Sequence, residues 1–226
     1  MLLVIREALS AKQVAELRHA LAEIDWVDGR ATAGHLSAAV KRNSQVGEEH
    51  PVGRRLGTVI LDALERNPTF MSGALPAKLV PPLFNRYAAD ETYGRHIDGA
   101  IRPIAGTHHR VRTDLAATLF LSSPEEYDGG ELIMEEAFGT QRLRLPAGDM
   151  VVYPATSIHE VTPVTRGARI ASFFWIQSLV REDARRRMLF GLDGTIQSLR
   201  LQSPDSPAIL ELTALYHNLL REWADV

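Results

Sequence analysis

His96 and Asp98 stand one residue apart in the stretch YGRHIDGAIRP, in a chain that has no cysteine. Without thiolates, any bound metal must be held by imidazole nitrogen and carboxylate oxygen, which narrows the candidate ligands to His, Asp and Glu. Residues two apart on a strand point to the same face, so an imidazole and a carboxylate at this spacing can converge on one ion. Chance supplies such a pair easily among eight histidines, so a third ligand has to be found. His159, in YPATSIHEVTPVTRGAR, is the best placed. Two His and one carboxylate form the facial triad that leaves positions open on Fe(II), and zinc accepts the same ligands.

Arg169 separates the two metals. It lies ten residues after His159 and opens the apolar run ARIASFFWI, and the turn TPVTRG between them reverses the chain, so that a guanidinium can re-enter the cavity His159 faces. Arginine pairs bidentately with carboxylates and stays charged when poorly hydrated, so a fixed cation beside an iron site calls for an anionic co-substrate. Arg166, inside TRG, fits a surface loop instead.

These residues need a scaffold. Ser10 with Gln13 makes a capping box ahead of Val14, Leu17, Leu21 and Ile24, which predicts a helix over about 11–24 with His19 on its solvent face. A second helix starts near Pro51, turns Leu56, Val59, Ile60 and Leu64 inward and stops before Pro68. From residue 79 to about 177 the pattern changes to short strand-like runs, LFNRY, DLAATLFL, ELIM, RLRL, MVVYP and ARIASFFWI, broken by YDGGE, PAGD and TRG. This middle region reads as an antiparallel sandwich or barrel. After residue 180 the helical period returns. Ser206 is the expected N-cap and Pro207 the first helical residue, with Ile209, Leu212, Tyr216, Leu219 and Trp223 on a face that must pack on the sheet or on another subunit. Arg185, Arg186 and Arg187 read as a solvated helix face. The expected organisation is a helical buttress over 1–78, a β core over 79–178 and a helical extension over 179–226, forming one unit.

At 226 residues with 45% hydrophobic content the chain can bury one large core. A net charge of −3 offers no basic footprint for nucleic acid. MLLVI is too short for a signal peptide, and no apolar run reaches the ~18 residues that span a membrane, so a cytoplasmic location is expected. His108 and His109 sit in a loop, AGTHHRVRT, where a substrate contact is conceivable because the 99–112 segment follows the ligands directly. His19, His35, His50 and His217 have no carboxylate at ligand spacing, Gly129-Gly130 reads as a turn, and Glu135-Glu136 as a hairpin tip.

The stretches NRYAADETYGRHIDG and HEVTPVTRGARIASFFW resemble the Fe(II)- and 2-oxoglutarate-dependent dioxygenases of the prolyl-4-hydroxylase superfamily. More closely, and over essentially the whole chain, the sequence is similar to the bacterial PKHD-type hydroxylases, a group linked to iron uptake. The resemblance implies an α+β chain with a double-stranded β-helix (jelly-roll, cupin-like) core flanked by N-terminal and C-terminal helices. It implies that His96, Asp98 and His159 bind Fe(II) and serve as the catalytic centre. Arg169 would bind the distal carboxylate of 2-oxoglutarate, with Tyr87 contacting the same co-substrate; Tyr93 reads equally as a packing residue. Hydroxylation with O2, releasing succinate and CO2, and an L-ascorbate requirement are implied too. Asp98 fills the position that related halogenases leave to halide, which favours hydroxylation. The substrate, a peptidyl residue or a small molecule such as a siderophore, is not specified by any residue, and a homo-oligomer through the C-terminal helix is an open expectation. Two rival readings share the ligands: a cupin-like non-redox zinc or manganese enzyme, which would not need Arg169, and a non-enzymatic iron or 2-oxoglutarate sensor.

Overall fold

Strand Leu115–Phe120 is buried on both faces, and the architecture follows from what each face meets. Leu115, Ala117 and Leu119 pack against Leu17 and Leu21 of helix Ala11–Ala22 and against Leu56, Ile60 and Leu64 of helix Pro51–Glu65. Ala116 and Phe120 look the other way, into a second core shared with Leu132, Met134 and Val161 of an opposing sheet. The computed structural model of the chain describes residues 1–32, 38–136 and 139–225. Among these, an eight-stranded sheet runs in the order Leu3–Ile5, Met150–Pro154, Leu115–Phe120, Arg169–Ser178, Leu83–Tyr87, Ser44–Gln45, Val27–Asp28, with Pro76–Leu79 also on the edge of Arg169–Ser178. A five-stranded sheet faces it: Gly139–Leu143, Leu132–Glu136, His159–Val161, Thr92–His96, Lys41–Arg42. All pairings are antiparallel. The result is a double-stranded β-helix with helices packed on one outer face.

The capping box forms as the sequence predicts, with the Gln13 N–H donating to Ser10 Oγ and the Ser10 N–H to Gln13 Oε1. Other boundaries shift for local reasons. Helix Pro51–Glu65 stops before Pro68 as predicted, but Pro68 also opens a short helix, Pro68–Ala74, whose first turn is capped by Asn67 accepting from the Phe70 N–H. A proline at that position gives up no hydrogen bond. Only Arg142 and Leu143 of the RLRL run lie in a strand, Gly139–Leu143, and Arg144 leaves it to donate to the carbonyls of Pro124 and Tyr127. Helix Ala208–Trp223 has Pro207, not Ser206, at its N-cap, with Pro207 already in helical dihedrals. The Ser206 carbonyl accepts from the Ile209 N–H without any side-chain cap.

Within the chain the apolar face of that helix packs not on the sheet but on a neighbouring helix and the segment that leads into it. Tyr216, Leu219 and Trp223 meet Leu189 of helix Asp183–Gln202 and the segment Leu179–Val180. The basic run beside them divides. Arg187 is exposed and Arg185 half-buried, its guanidinium carbon 5.4 Å from the Trp223 ring centroid, whereas the Arg186 side chain is only 3% exposed and donates to the carbonyls of Val180 (2.7 Å) and Arg181 (2.6 Å) and to Asp183 (3.2 Å). Burial lowers its pKa below the usual arginine value. A charged donor that closes two chain-end carbonyls fixes where the helical extension leaves the sheet. Arg186→Met should therefore cost about 2–4 kcal/mol in urea unfolding, while Arg187→Met, a loss of an exposed ion pair, should change stability by less than about 1 kcal/mol.

Candidate functional site

Two antiparallel strands carry the two histidines, and the ladder sets them side by side: His159 is the cross-strand partner of His96, with ring centroids 4.2 Å apart. Strand Thr92–His96 ends at His96, so Asp98 lies beyond it rather than on the strand, and the chain turning away at Ile97 brings its carboxylate back toward the rings. Asp98 Oδ2 is 3.9 Å from His159 Nε2, and one ligand atom from each of the three residues lies within 4.8 Å of the others. The imidazoles are oriented by the backbone. His96 Nδ1 meets the Gly94 carbonyl at 2.8 Å and His159 Nδ1 the Ser157 carbonyl at 3.0 Å. A carbonyl only accepts, so each Nδ1 carries the proton and each Nε2 keeps a lone pair for a metal. Tyr93 stacks on His96 with centroids 3.5 Å apart and Tyr153 meets His159 edge-on at 5.3 Å, which holds both ring planes. Burial, then the neighbouring His159, holds His96 down to about 3, so it is neutral at any working pH.

Arg169 occupies the other sheet. It stands opposite Tyr87 in the ladder, is 1% exposed, and lies with its guanidinium carbon 5.5 Å from the Tyr87 ring and 5.0 Å from that of Phe120. Its Nε and Nη1 have no hydrogen-bond partner, and it forms no ion pair with a described carboxylate. Burying a guanidinium with open donors is costly unless an anion completes it. Tyr87 is buried beside it, and burial raises its pKa well above the usual phenol value. Arg169, Tyr87 and the His-Asp-His cluster line one cavity of about 530 Å3. A donor set of two imidazoles with Nδ1 committed to the backbone and a carboxylate, together with a cation lacking an anion, fits Fe(II) and a dicarboxylate.

Residues 82–177 match the 2OG-Fe(II) oxygenase superfamily, and residues 183–225 match the PKHD-type hydroxylase C-terminal domain. A PKHD-type hydroxylase of Burkholderia ambifaria is 57% identical over 227 residues, covering 100% of both chains; one from Bordetella pertussis is 54% identical over 226 residues, again covering 100% of both. The chain belongs to the PKHD-type hydroxylases. Its fold is shared with a 2OG-Fe(II) oxygenase-family oxidoreductase of Burkholderia pseudomallei, at TM-score 0.57 and 16% identity, covering 80% of this chain and 85% of that one. This PKHD-type hydroxylase is thus an oxidoreductase of the class that uses Fe(II), 2-oxoglutarate and O2 on a further substrate.

Other residues singled out in the sequence sort by position. His108 and His109 are exposed near the tip of the hairpin made by Ile101–Pro103 and Arg110–Arg112 and do not line the cavity. Arg166 is exposed and paired with Asp128 at 2.6 Å. His19 and His217 are exposed, His50 precedes helix Pro51–Glu65, and His35 lies outside the described residues. Sequence reasoning missed Lys41 and Arg102, which line the cavity from a two-residue strand and from the hairpin, because nothing in their local pattern marks an inward-facing cation. It also read Gly130 only as a turn. Gly130 has φ +60°, and a Cβ there would stand 3.0 Å from Val164 Cγ2 and 3.1 Å from both Arg169 Cδ and Tyr127 Cε2. Gly130→Ala should lower unfolding stability by about 1–2 kcal/mol through the left-handed backbone alone. It should also weaken 2-oxoglutarate measured by calorimetry, with Zn(II) affinity unchanged, because it displaces Arg169 and not the histidines.

Proposed function

We propose that His96, Asp98 and His159 hold the Fe(II) of this hydroxylase and that Arg169 seats the distal carboxylate of 2-oxoglutarate, with Tyr87 beside it. The carrying observation is the Arg169 guanidinium, buried with two donor nitrogens unpaired in the cavity that holds the His-Asp-His cluster. With 2-oxoglutarate and O2, bound Fe(II) supplies the oxidising power that places one oxygen atom in a substrate C–H bond and releases succinate and CO2. The protein supplies placement. The Gly94 and Ser157 carbonyls fix the tautomer of each imidazole, Tyr93 and Tyr153 fix its plane, and Asp98 completes the ligand set with a carboxylate. Arg169 sets which end of a dicarboxylate goes deep, since its donors face a wall of Tyr87 and Phe120 that no water-exposed group shares.

A non-redox zinc or manganese enzyme would have no use for this open guanidinium, which is the reason to favour the dioxygenase assignment. The remaining parts of the reading rest on resemblance: a dependence on L-ascorbate, a role in iron uptake, and action on a small molecule or peptidyl residue; a cytoplasmic location is proposed from the sequence's short apolar runs. Among the described residues no helix is long and apolar enough to cross a membrane. We also propose that segments 1–78, 79–178 and 179–226 work as one unit. A homo-oligomer through the C-terminal helix would have to use Leu210 and Leu215, 76% and 47% exposed, since Leu219 and Trp223 are engaged within the chain.

Without oxygen, wild-type protein mixed with Fe(II) and 2-oxoglutarate should develop a weak visible absorption band that His96→Ala lacks. Tight zinc binding with no such band would sink the assignment. Arg169→Ala should raise the dissociation constant for 2-oxoglutarate about 100-fold, the size of a lost charge-assisted pair, and leave metal affinity within a few-fold. Equal loss of both would make Arg169 structural.

A further inference from the structure

The cavity holds a second pair of cations that the co-substrate does not explain. Lys41 is 3% exposed, with Nζ 5.1 Å from the Tyr93 ring centroid and 6.0 Å from that of Phe173. Arg102, on the Ile101–Pro103 strand, lies 4.6 Å over the Trp175 ring and pairs with Glu48. Both side chains line the cavity shared by the His-Asp-His cluster and Arg169. Phe173 and Trp175 share the inward face of Arg169's own strand, four and six residues along it, or about 13 and 20 Å at about 3.3 Å per residue. The carboxyl carbons of 2-oxoglutarate are separated by four C–C bonds of about 1.5 Å each, so roughly 5 Å. A dicarboxylate seated on Arg169 falls short of the Trp175 end, where Arg102 stands.

We infer that Lys41 and Arg102 form an anion seat for the hydroxylated substrate, which therefore carries a carboxylate or equivalent acidic group. The inference rests on the hydroxylase reading above and adds the substrate's charge to it. Two cations held over aromatic faces are partly compensated by the ring quadrupoles but still lose hydration, and an incoming anion returns that loss. The hairpin agrees in sign. Between Gly99 and Thr113 there is no Asp or Glu, in a chain of net charge −3, while Arg102, Arg110 and Arg112 and two histidines fall in that span. Arg112 is taken by Asp114 and Asp225, and Arg102 shares Glu48, so a substrate anion exchanges with Glu48 on one guanidinium while Lys41 adds a second positive charge to the same cavity. Ile97 and Ile101, both 54% exposed, make the lip apolar. The seat rejects a substrate whose reacting end bears an ammonium group, because like charges would be forced together where water is scarce.

Trp175 gives a readout that needs no substrate. In a Trp26→Phe/Trp223→Phe background, loaded with Zn(II) and saturating 2-oxoglutarate, iodide, neutral acrylamide and caesium are compared as quenchers of its emission. Iodide should quench at least about threefold better, relative to acrylamide, than it quenches free N-acetyltryptophanamide, and Lys41→Met with Arg102→Met should abolish that excess without changing acrylamide, whereas Arg102→Lys should keep most of it. Iodide no better than in the free indole, or an excess untouched by the variants, overturns the seat. In parallel, succinate release is screened with matched acids and amides, small carboxylic acids in one arm and Asp- or Glu-containing peptides against their Asn or Gln forms in the other. Active compounds should prefer the acid by about tenfold or more in KM, a preference lost in the Met variants; the arm that responds names the source of the carboxylate. A neutral or cationic substrate with KM unchanged by the variants overturns the inference. If Lys41→Met weakens 2-oxoglutarate in calorimetry as much as Arg169→Ala does, the cations belong to the co-substrate and the seat is overturned while the hydroxylase reading stands. Wild type that binds no 2-oxoglutarate would sink that reading instead.

Discussion

A single antiparallel register, His159 opposite His96, is the constraint on which the rest of the site depends. A slip of one residue in either strand would turn one imidazole to the far face of the sheet and leave no pair to share an ion. The register is held by what surrounds it. Thr92 Oγ1 donates to the Val161 carbonyl, Met134 sits opposite His159 on the next strand, and the irregularity between His159 and Val161 re-aims the imidazole without breaking the ladder. Since both Nδ1 atoms are satisfied by backbone carbonyls two residues upstream, the tautomer comes from the chain that carries each histidine, while the ring planes are held by Tyr93 and Tyr153.

The opposing sheet has a different task. Strand Leu115–Phe120 is buried on both faces, so it transmits the position of the helices on one side to the cavity wall on the other. Arg169, Phe173 and Trp175 follow one another along the inner face of its neighbour, and that strand thus runs from the deep end of the cavity to its mouth. The two histidines stand on the five-stranded sheet and Arg169 on the eight-stranded one, with Lys41 on the histidines' own sheet and Arg102 on the separate hairpin, so the cavity receives its cations from three different elements.

Much of this was legible in the sequence, and the rest was hidden for physical reasons. His96, Asp98, His159 and Arg169 could be found because their chemistry is unusual for their surroundings, and the helix over 11–22 because its cap and its apolar period agree. Lys41 could not be found: it sits in a two-residue strand whose direction is decided by pairing with Tyr93, half the cavity away in sequence, so no local period exists. Arg186 failed in the same way, since three adjacent arginines look alike until a tertiary contact buries one of them. Pro68 showed the limit of a stop signal, because the residue that ends one helix can begin the next when a cap precedes it. Gly130 looked like any turn glycine, and only the nearness of Arg169 Cδ shows that its missing side chain is also space for another residue.

The placement of the His-Asp-His cluster on one sheet and Arg169 on the other has a consequence for selectivity among acids. Whatever bridges the two is measured by the thickness of the packed interior between the sheets, so the residues that set this gauge, Phe120 and Tyr127 among them, act as a ruler although neither bears a charge. Close-packed interiors are poorly compressible and register a change of even one methylene. On the proposed assignment the hydrophobic core would thus set the chain length of the dicarboxylate that fits.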